Sequence, residues 1–332
     1  MRRILVCLGI ALAATPAFAA NGLRPRTPAV FGEVACMQTV AQGDVVDIPY
    51  SVPFDDTELT PDELTDSRQH QFFAFGRQRF DFTPPTWINQ SDYDRAEANG
   101  DITKIFGDDD ILEKSSLWPA GSWVPITADD ARVPITMAQA AMGVQWDTTD
   151  VPPGTWLVYG YTWEPENNLW SLRQGAIRLE APGDPDSAGP SLFIEPLSSP
   201  LATRGEPLAI PGCVVASQGT TMTAYWGTAE GVDEPEWVPF AEDVPVQTGA
   251  LDLDFDAPAE TGDTVRIRVD LTDAAGRTYT AYLVTLLGVV GEAPAADDDG
   301  GGGCRCGGTA PSPAWLGLAS VGLLGLRRRR KR

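Results

Sequence analysis

This chain of 332 residues has one histidine and five cysteines. The side chains most often used as base, nucleophile or metal ligand are therefore scarce. The single histidine, His70, lies in RQHQFFAFG, which is typical of a strand and predicts a structural role. No local signature supports a nucleophilic pair of Cys36 with His70. The sequence also contains no Gly-x-Ser-x-Gly elbow, phosphate loop or dinucleotide fingerprint. We therefore predict that the protein is not an enzyme.

Carboxylates are abundant, and one group of them has the spacing of a calcium loop. With 46 acidic residues some close pairs are inevitable, so pairs alone do not indicate glycoside hydrolysis. Asp184, Asp186 and Glu195 fit the D-x-[DN]-x-[DN]-G-x5-E pattern, although Ala188 stands where the third Asp or Asn is required. The flanks are a proline–glycine turn and a strand instead of helices. We interpret the segment as a linker first and as an interdomain calcium site second.

Aromatic residues concentrate in the first half of the chain, where TWLVYGYTW is apolar on both faces of a strand. One of the two rows must therefore lie in a core. The other row is a candidate platform for stacking on sugar rings, and the alternative is cross-strand packing beneath an insertion. The candidate ligand-binding residues are Tyr159, Tyr161, Trp163 and Trp170.

Two cysteines, Cys36 and Cys213, lie between the chain ends. In an oxidising compartment two such thiols are more often bonded than free, so we predict a disulfide between them. The bond would join two different domains. Two buried single thiols are the alternative.

The N-terminus has the three zones of a secretory signal. Arg2 and Arg3 precede the apolar stretch 4–14, and Ala-Phe-Ala at 17–19 is a small-x-small cleavage site. The sequence predicts a signal peptide over 1–20 and an exported mature chain.

The C-terminus combines a glycine run, Cys304 and Cys306, an apolar run over 314–326 and six basic residues at 327–332. As a helix the apolar run spans about 20 Å at about 1.5 Å per residue, short of the roughly 30 Å hydrocarbon core of a bilayer. The basic cluster would stop transfer on the cytoplasmic side. A short span with a basic stop suits a sorting signal better than a permanent anchor.

Over 304–332 this combination resembles the MYXO-CTERM tail of myxobacterial surface proteins. The resemblance implies that a membrane-embedded processing protease recognises Cys304 or Cys306, and that the protein is then attached to the cell surface or outer membrane. Which cysteine is processed is left open. The alternative is an ordinary tail anchor that holds the protein in the membrane.

The chain between its two ends is strongly acidic. All 46 acidic residues lie there, whereas nine of the 24 basic residues belong to the ends, so residues 21–303 carry a net charge of −31. Such a surface repels phosphate backbones, which excludes nucleic acid as a partner.

Five sequence blocks recur in the same order on both sides of the linker 181–191, which indicates a duplication. The paired blocks are 42–49 with 204–211, 123–126 with 237–240, 132–136 with 243–247, 144–147 with 253–256, and 152–163 with 259–273.

In the second copy, apolar and polar residues alternate over 251–256 and over 265–271, as in strands with one buried face. With further strands predicted near 207–215 and 221–227, about seven short strands in roughly 100 residues resemble an immunoglobulin-like sandwich at the level of fold. We predict an all-β protein with two tandem immunoglobulin-like β-sandwich domains. They occupy 30–180 and 192–290, with an Asp/Gly-rich linker over 291–303.

The first copy is longer because of an insertion over 55–121, and the stretch 91–101 within it predicts a short helix capped by Ser91. Insertions in sandwiches often carry binding functions.

The sequence thus favours a non-enzymatic cell-surface protein with a structural or adhesive role. The alternative is a surface ligand-binding module for carbohydrate that uses the aromatics of the first domain. The expected partners are the processing protease, the membrane through the tail, and an extracellular polysaccharide or protein. Apart from the candidate calcium, no cofactor is expected.

Overall fold

The computed structural model describes residues 26–60, 63–76, 85–102, 105–163, 168–229 and 235–291. The predicted signal peptide, the tail with Cys304 and Cys306, and all but the first residue of the 291–303 linker lie outside the described residues.

The first half of the described chain forms eight strands and two α-helices. The strands are β1 Met37–Ala41, β2 Val45–Ile48, β3 Gln69–Phe75, β4 Trp123–Pro125, β5 Val133–Pro134, β6 Val144–Asp147, β7 Gly154–Thr162 and β8 Leu169–Glu180. The helices are α1 Gln90–Asn99 and α2 Met137–Met142, with 3-10 turns at Thr65–Arg68, Asp108–Asp110 and Asp129–Ala131.

The second half forms eleven strands and no helix among its described residues. They are β9 Ser191–Ile194, β10 Leu201–Thr203, β11 Leu208–Ala209, β12 Gly212–Val215, β13 Thr221–Thr228, β14 Val238–Pro245, β15 Gly249–Ala250, β16 Asp254–Phe255, β17 Thr264–Thr272, β18 Thr278–Tyr282 and β19 Leu287–Val290.

The large sheets of the two halves have the same topology, and the second half has in addition a three-stranded sheet of order β15-β12-β9. The large sheet of the first half has the order β1-β8-β7-β3-β4 with β5 also on β3, and that of the second has β10-β19-β17-β13-β14 with β18 also on β17. In each, the first strand runs parallel to the last strand of the half, and the other neighbours are antiparallel. The pairs β2–β6 and β11–β16 form the opposite layers. This arrangement of two layers is that of an immunoglobulin-like sandwich and confirms the predicted all-β fold class.

The registers of the two halves also correspond. Val46 lies opposite Trp146, and Leu208 lies opposite Phe255, at matching places in the repeated blocks. Likewise β5 pairs with the start of β3 just as the end of β14 pairs with the start of β13. The single strand β14 therefore corresponds to β4 and β5 together, and the repeated blocks mark equivalent structural positions.

The predicted helix of the insertion is present as α1, but its cap is not Ser91. The side chain of Asn89 accepts a hydrogen bond from the Asp92 N–H at 2.9 Å, so Asn89 is the N-cap. Ser91 lies one residue inside the helix and donates to the Asn89 side chain at 2.7 Å. The helix ends at Gly100, whose φ of 78° is the left-handed conformation that glycine adopts most easily.

Two of the strands expected in the second half are interrupted. The alternation at 251–256 gives pairing only at β16, while Leu251 and Leu253 are still buried. The strand expected near 207–215 is divided into β11 and β12 around Pro211, which lacks a backbone N–H for the ladder.

A third apolar cluster, here called the junction core, joins the two halves. Alternate residues of β3 and β7 face either the sandwich core or this cluster, so both strands are buried on both faces. Phe193 from β9 enters the cluster, while its neighbours Leu192 and Ile194 enter the core of the second sandwich. The buried members are Phe73, Phe75, Trp87, Ile88, Ala96, Ile111, Leu112, Trp118, Leu157, Tyr159, Tyr161, Trp163, Ala176 and Phe193.

Cys36 and Cys213 form a disulfide that packs against the junction core and joins the two halves. Cys213 lies directly opposite Phe193 in the β9–β12 ladder, so the bond and the buried ring secure the same strand pair. All described residues accordingly belong to one compact unit. The two sandwiches are fused, not connected by a free hinge.

Replacement of both Cys36 and Cys213 by serine is expected to lower the free energy of unfolding without separating the sandwiches. The bond closes a loop of 177 residues, and removal of a native disulfide typically costs about 2 to 5 kcal/mol. Because the junction core is retained, urea denaturation should still show one transition and X-ray scattering an unchanged radius of gyration. Reduction of the parent protein is the matched control. Two separate transitions in the variant would contradict a shared core.

Candidate functional site

Of the two candidate catalytic groups, His70 is buried and Cys36 is part of a disulfide. His70 lies on β3 with no exposed surface, and its Nε2 is 2.8 Å from the carbonyl oxygen of Thr27, so this nitrogen carries the proton in the neutral ring. Burial lowers the pKa of His70, which keeps the ring neutral. Cys36 is bonded to Cys213 and has no thiolate. A Cys36–His70 nucleophilic pair therefore does not exist in this structure.

The predicted calcium set does not assemble. Asp184 and Asp186 lie in the turn between β8 and β9, and Asp184 accepts a hydrogen bond from the Asp186 N–H at 3.1 Å. Glu195 lies beyond β9, where its N–H bonds to Pro211 and its side chain faces a groove that Phe31 also lines. Throughout the described ranges no three His, Cys, Asp or Glu side chains are grouped as a metal would require.

Guanidinium groups bind the backbone carbonyl oxygens of this turn. Arg178, buried on β8, donates to the carbonyls of Pro185, at 2.7 Å, and Gly189, and also to Ser191. Arg277 donates to the carbonyl of Asp186. One arginine comes from each sandwich, so the linker is fixed to both.

The predicted sugar platform of the first sandwich is wrong, because its residues lie inside the protein. Tyr159, Tyr161 and Trp163 have no exposed surface. Trp170 is partly buried and packs on Tyr161, with ring centroids 4.5 Å apart. These rings form the junction core, so the alternative of aromatic packing beneath the insertion is confirmed.

Described residues of the insertion 55–121 cover this sheet face. Trp118 packs edge-on against Phe75 at 4.7 Å, and Trp87 lies 6.2 Å from Trp163 between ring centroids. The indole N–H of Trp123 donates to the carbonyl of Trp118 at 3.1 Å. The sheet face is thus closed by polypeptide of the same chain.

Buried ion pairs fix this cover in place. Arg132, beside β5, contacts Asp92 of α1 at 3.0 Å and Gln71 of β3 at 3.0 Å, and all three are buried. Burial alone would lower the pKa of the Arg132 guanidinium, but the surrounding acidic groups, Asp92 first and Asp129 among the others, together raise it. Arg68 in turn pairs with Asp56 at 2.9 Å. Such pairs need exact partners, because a single buried charge without one is costly.

The second sandwich has no such insertion, and the same sheet face carries a partly exposed cluster. Tyr225, Arg268 and Tyr282 form one row across β13, β17 and β18, and Trp237 stands just before β14. The guanidinium carbon of Arg268 lies 5.2 Å from the ring centre of Tyr225 and 5.8 Å from that of Trp237. We call these four residues the aromatic–arginine cluster.

Asp270 holds Arg268 in this position through two hydrogen bonds, from Nε at 3.0 Å and from Nη2 at 2.6 Å. Thr280 orients the same carboxylate with a bond of 2.7 Å. The cation is therefore neutralised and fixed between rings, which leaves a rigid surface with apolar faces and polar edges.

The cluster and the junction core occupy equivalent positions. Phe73 is paired with Tyr159 and Pro125, just as Tyr225 is paired with Arg268 and Pro239. Trp123 and Trp237 begin the matching WVP blocks. The sequence interpretation placed its candidate aromatics in the first copy, where Tyr159, Tyr161 and Trp163 are buried, whereas the second copy has partly exposed rings on the equivalent sheet face. The signals were the WVP repeat and the polar row Arg266, Arg268 and Asp270 on β17.

The chain matches no protein-family model and no curated protein. Among solved structures it is similar to the N-terminal four immunoglobulin domains of Dscam1 isoform 4.44, with 12% identity over 80% of this chain and 53% of that chain and a TM-score of 0.19. Dscam1 isoform 7.44 gives 10% identity, 80% and 51% coverage, and a TM-score of 0.20. The chain spans about half the length of these structures, and such TM-scores support no argument about its function.

Across the part of the chain that the structure describes, no helix is both long and apolar enough to cross a membrane.

The losses in free energy of unfolding caused by Trp163→Ala and by Trp237→Ala should distinguish a core aromatic residue from a surface one. Trp163 is fully buried, so its truncation should cost about 3 to 5 kcal/mol. Trp237 is partly exposed, and its truncation should cost about 1 kcal/mol or less. Urea denaturation of both variants measures the difference, and equal losses would contradict the assignment.

His70→Gln should remove one component of the pH dependence of stability. An unfolded histidine titrates near pH 6.5, whereas burial lowers the pKa of His70 in the folded chain. Between these values only the unfolded chain binds the proton, so the free energy of unfolding falls as the pH drops below about 6.5. The loss is at most about 1.4 kcal/mol per pH unit and stops below the folded pKa.

Glutamine can still donate to Thr27 but does not titrate. The stability of His70→Gln relative to the parent should therefore increase from pH 7 to pH 5 in denaturation at constant ionic strength. Parallel profiles would show that His70 is not held neutral.

Proposed function

We propose that this chain is an exported, non-enzymatic surface protein with a structural or adhesive role, and that the aromatic–arginine cluster is its contact surface. The observation that carries the proposal is the difference between two equivalent sheet faces. In the first sandwich the face is closed by the insertion, and in the second it retains Tyr225, Trp237 and Tyr282 at partly exposed positions.

The disulfide supports export. Cys36 and Cys213 lie 177 residues apart and are bonded, and such structural disulfides persist in oxidising compartments. The signal peptide over 1–20 and processing of the tail at Cys304 or Cys306 are parts of the same proposal. Together they would place the two sandwiches outside the cell with the C-terminal end at the membrane.

The fused architecture suits a protein that presents a surface. Phe193 in the junction core, Arg178 and Arg277 on the linker, and the disulfide all restrict movement between the sandwiches. A rigid unit holds its contact surface in one orientation, so little entropy is lost when it binds.

The absence of an enzymatic role is supported by the state of the reactive groups. The single histidine is buried against a backbone carbonyl, and Cys36 and Cys213 are bonded to each other. The carbohydrate module based on the first-domain aromatics has no accessible platform and is set aside.

The proposed localisation is tested by the intact mass of the protein, isolated from its native cell surface and measured without reduction. We expect a chain that lacks 1–20, contains the disulfide, and ends near Cys304 or Cys306 with an added group. A mass that retains Arg332 would mean a plain tail anchor and would remove the sorting tail from the proposal.

Adhesion of the cells tests the role. Deletion of the protein should reduce cell–cell or cell–surface attachment, and the parent chain should restore it. Trp237→Ser with Tyr282→Ser should fail to restore it at equal surface abundance. Val45→Ser is the matched control, because Val45 is 55% exposed on a strand of the opposite layer in the other sandwich. Full restoration by the cluster variant would exclude the cluster as the contact surface.

A further inference from the structure

We infer that the aromatic–arginine cluster binds a cationic polypeptide surface on another protein. The inference rests on the proposed function, in which this cluster is the contact surface, and it names the chemistry of the partner.

The residue types favour a polypeptide partner. Tyr, Trp and Arg are the side chains that contribute most binding energy at protein interfaces, and the cluster consists of two tyrosines, one tryptophan and one arginine. Asp270 already neutralises and orients Arg268, so little ordering remains to be done when a partner binds.

The first sandwich shows what this sheet face accepts. There Phe73, the equivalent of Tyr225, is fully buried, and Trp123, the equivalent of Trp237, is partly buried against the same cluster. Trp123 donates its indole N–H to a backbone carbonyl, that of Trp118. The repeat thus contains an occupied form of the same surface, and the occupant is a protein segment with aromatic side chains.

The ring geometry favours a side chain over a sugar ring. The planes of Trp237 and Tyr282 are inclined by 51°, with centroids 5.7 Å apart. Two rings at this angle do not form one flat platform. Stacking on the face of a sugar requires an open, level ring, so the geometry favours contact with side chains.

Charge complementarity indicates the sign of the partner. The chain between its ends has a net charge of −31, and the exposed Glu236, Glu242 and Asp243 lie on or just before the neighbouring edge strand β14. Arg266 lies in the same row as Arg268, but Arg268 is neutralised by Asp270 and the net charge of the chain stays strongly negative. A strongly negative chain accelerates association with a cation and opposes a second copy of itself.

The test is photo-cross-linking of the full-length protein on intact cells. A benzophenone amino acid replaces Pro239, which is exposed and lies opposite Tyr225. The control position is Val45. We expect an adduct from position 239 and not from 45, in which mass spectrometry identifies a different polypeptide of net positive charge.

The identified polypeptide, purified, should then bind the mature parent protein. Affinity should fall at least tenfold with Trp237→Ser and Tyr282→Ser, should be unchanged with Val45→Ser, and should weaken as salt is raised. An adduct to a second copy, to a polypeptide of net negative charge or to saccharide would overturn the inference, as would the absence of any adduct.

Surface labelling separates this inference from the proposed function. If the protein is labelled on intact cells and adhesion depends on the cluster, but no cationic polypeptide is cross-linked, only the partner chemistry fails. If the protein is not at the surface, both fail.

Discussion

The burial of β9 on both faces is the constraint on which the rest of the structure depends. Its four residues place Leu192 and Ile194 in the second sandwich core and Phe193 in the junction core. A strand with two apolar faces is stable only between two layers, so the second sandwich cannot leave the first without exposing one of them. The disulfide beside Phe193 and the arginines that bind the linker reinforce a contact that hydrophobic burial already requires.

The same requirement explains the insertion. The outward residues of β3 and β7 in the first sandwich, among them Phe73 and Tyr159, are aromatic and need a cover. The second sandwich covers part of this face with Phe193, and α1, Trp87 and Trp118 of the insertion cover the remainder. Buried ion pairs such as Arg132 with Asp92 then give the cover a unique position, because a shifted helix would leave a buried charge without its partner.

Local patterns predicted the strands and the repeat well. The alternation at 265–271 corresponds to β17, and the blocks with Val46 and Leu208 lie at the same register of their ladders, because period-two burial is a local property. The fate of Tyr159 and Tyr161 was not predictable in this way, since their cover comes from residues distant in sequence. The acidic linker was misinterpreted for a related reason. Its spacing fits a calcium loop, but its carbonyls accept hydrogen bonds from Arg178 of the preceding strand and from Arg277, which lies 91 residues beyond Asp186.

The two copies differ at the equivalent sheet face, because only the first copy has an insertion that covers it. Tyr225 remains aromatic and partly exposed, whereas the equivalent Phe73 is fully buried; Trp237 and its equivalent Trp123 are both partly exposed. The residue at the position of Tyr159 is Arg268, whose charge suits a wet surface and whose neutralisation by Asp270 keeps that surface ordered. An aromatic face that needed a cover in both copies would have acquired two insertions or aggregated. A face made half polar by one arginine–aspartate pair can stay soluble while unbound and still present its rings to a partner.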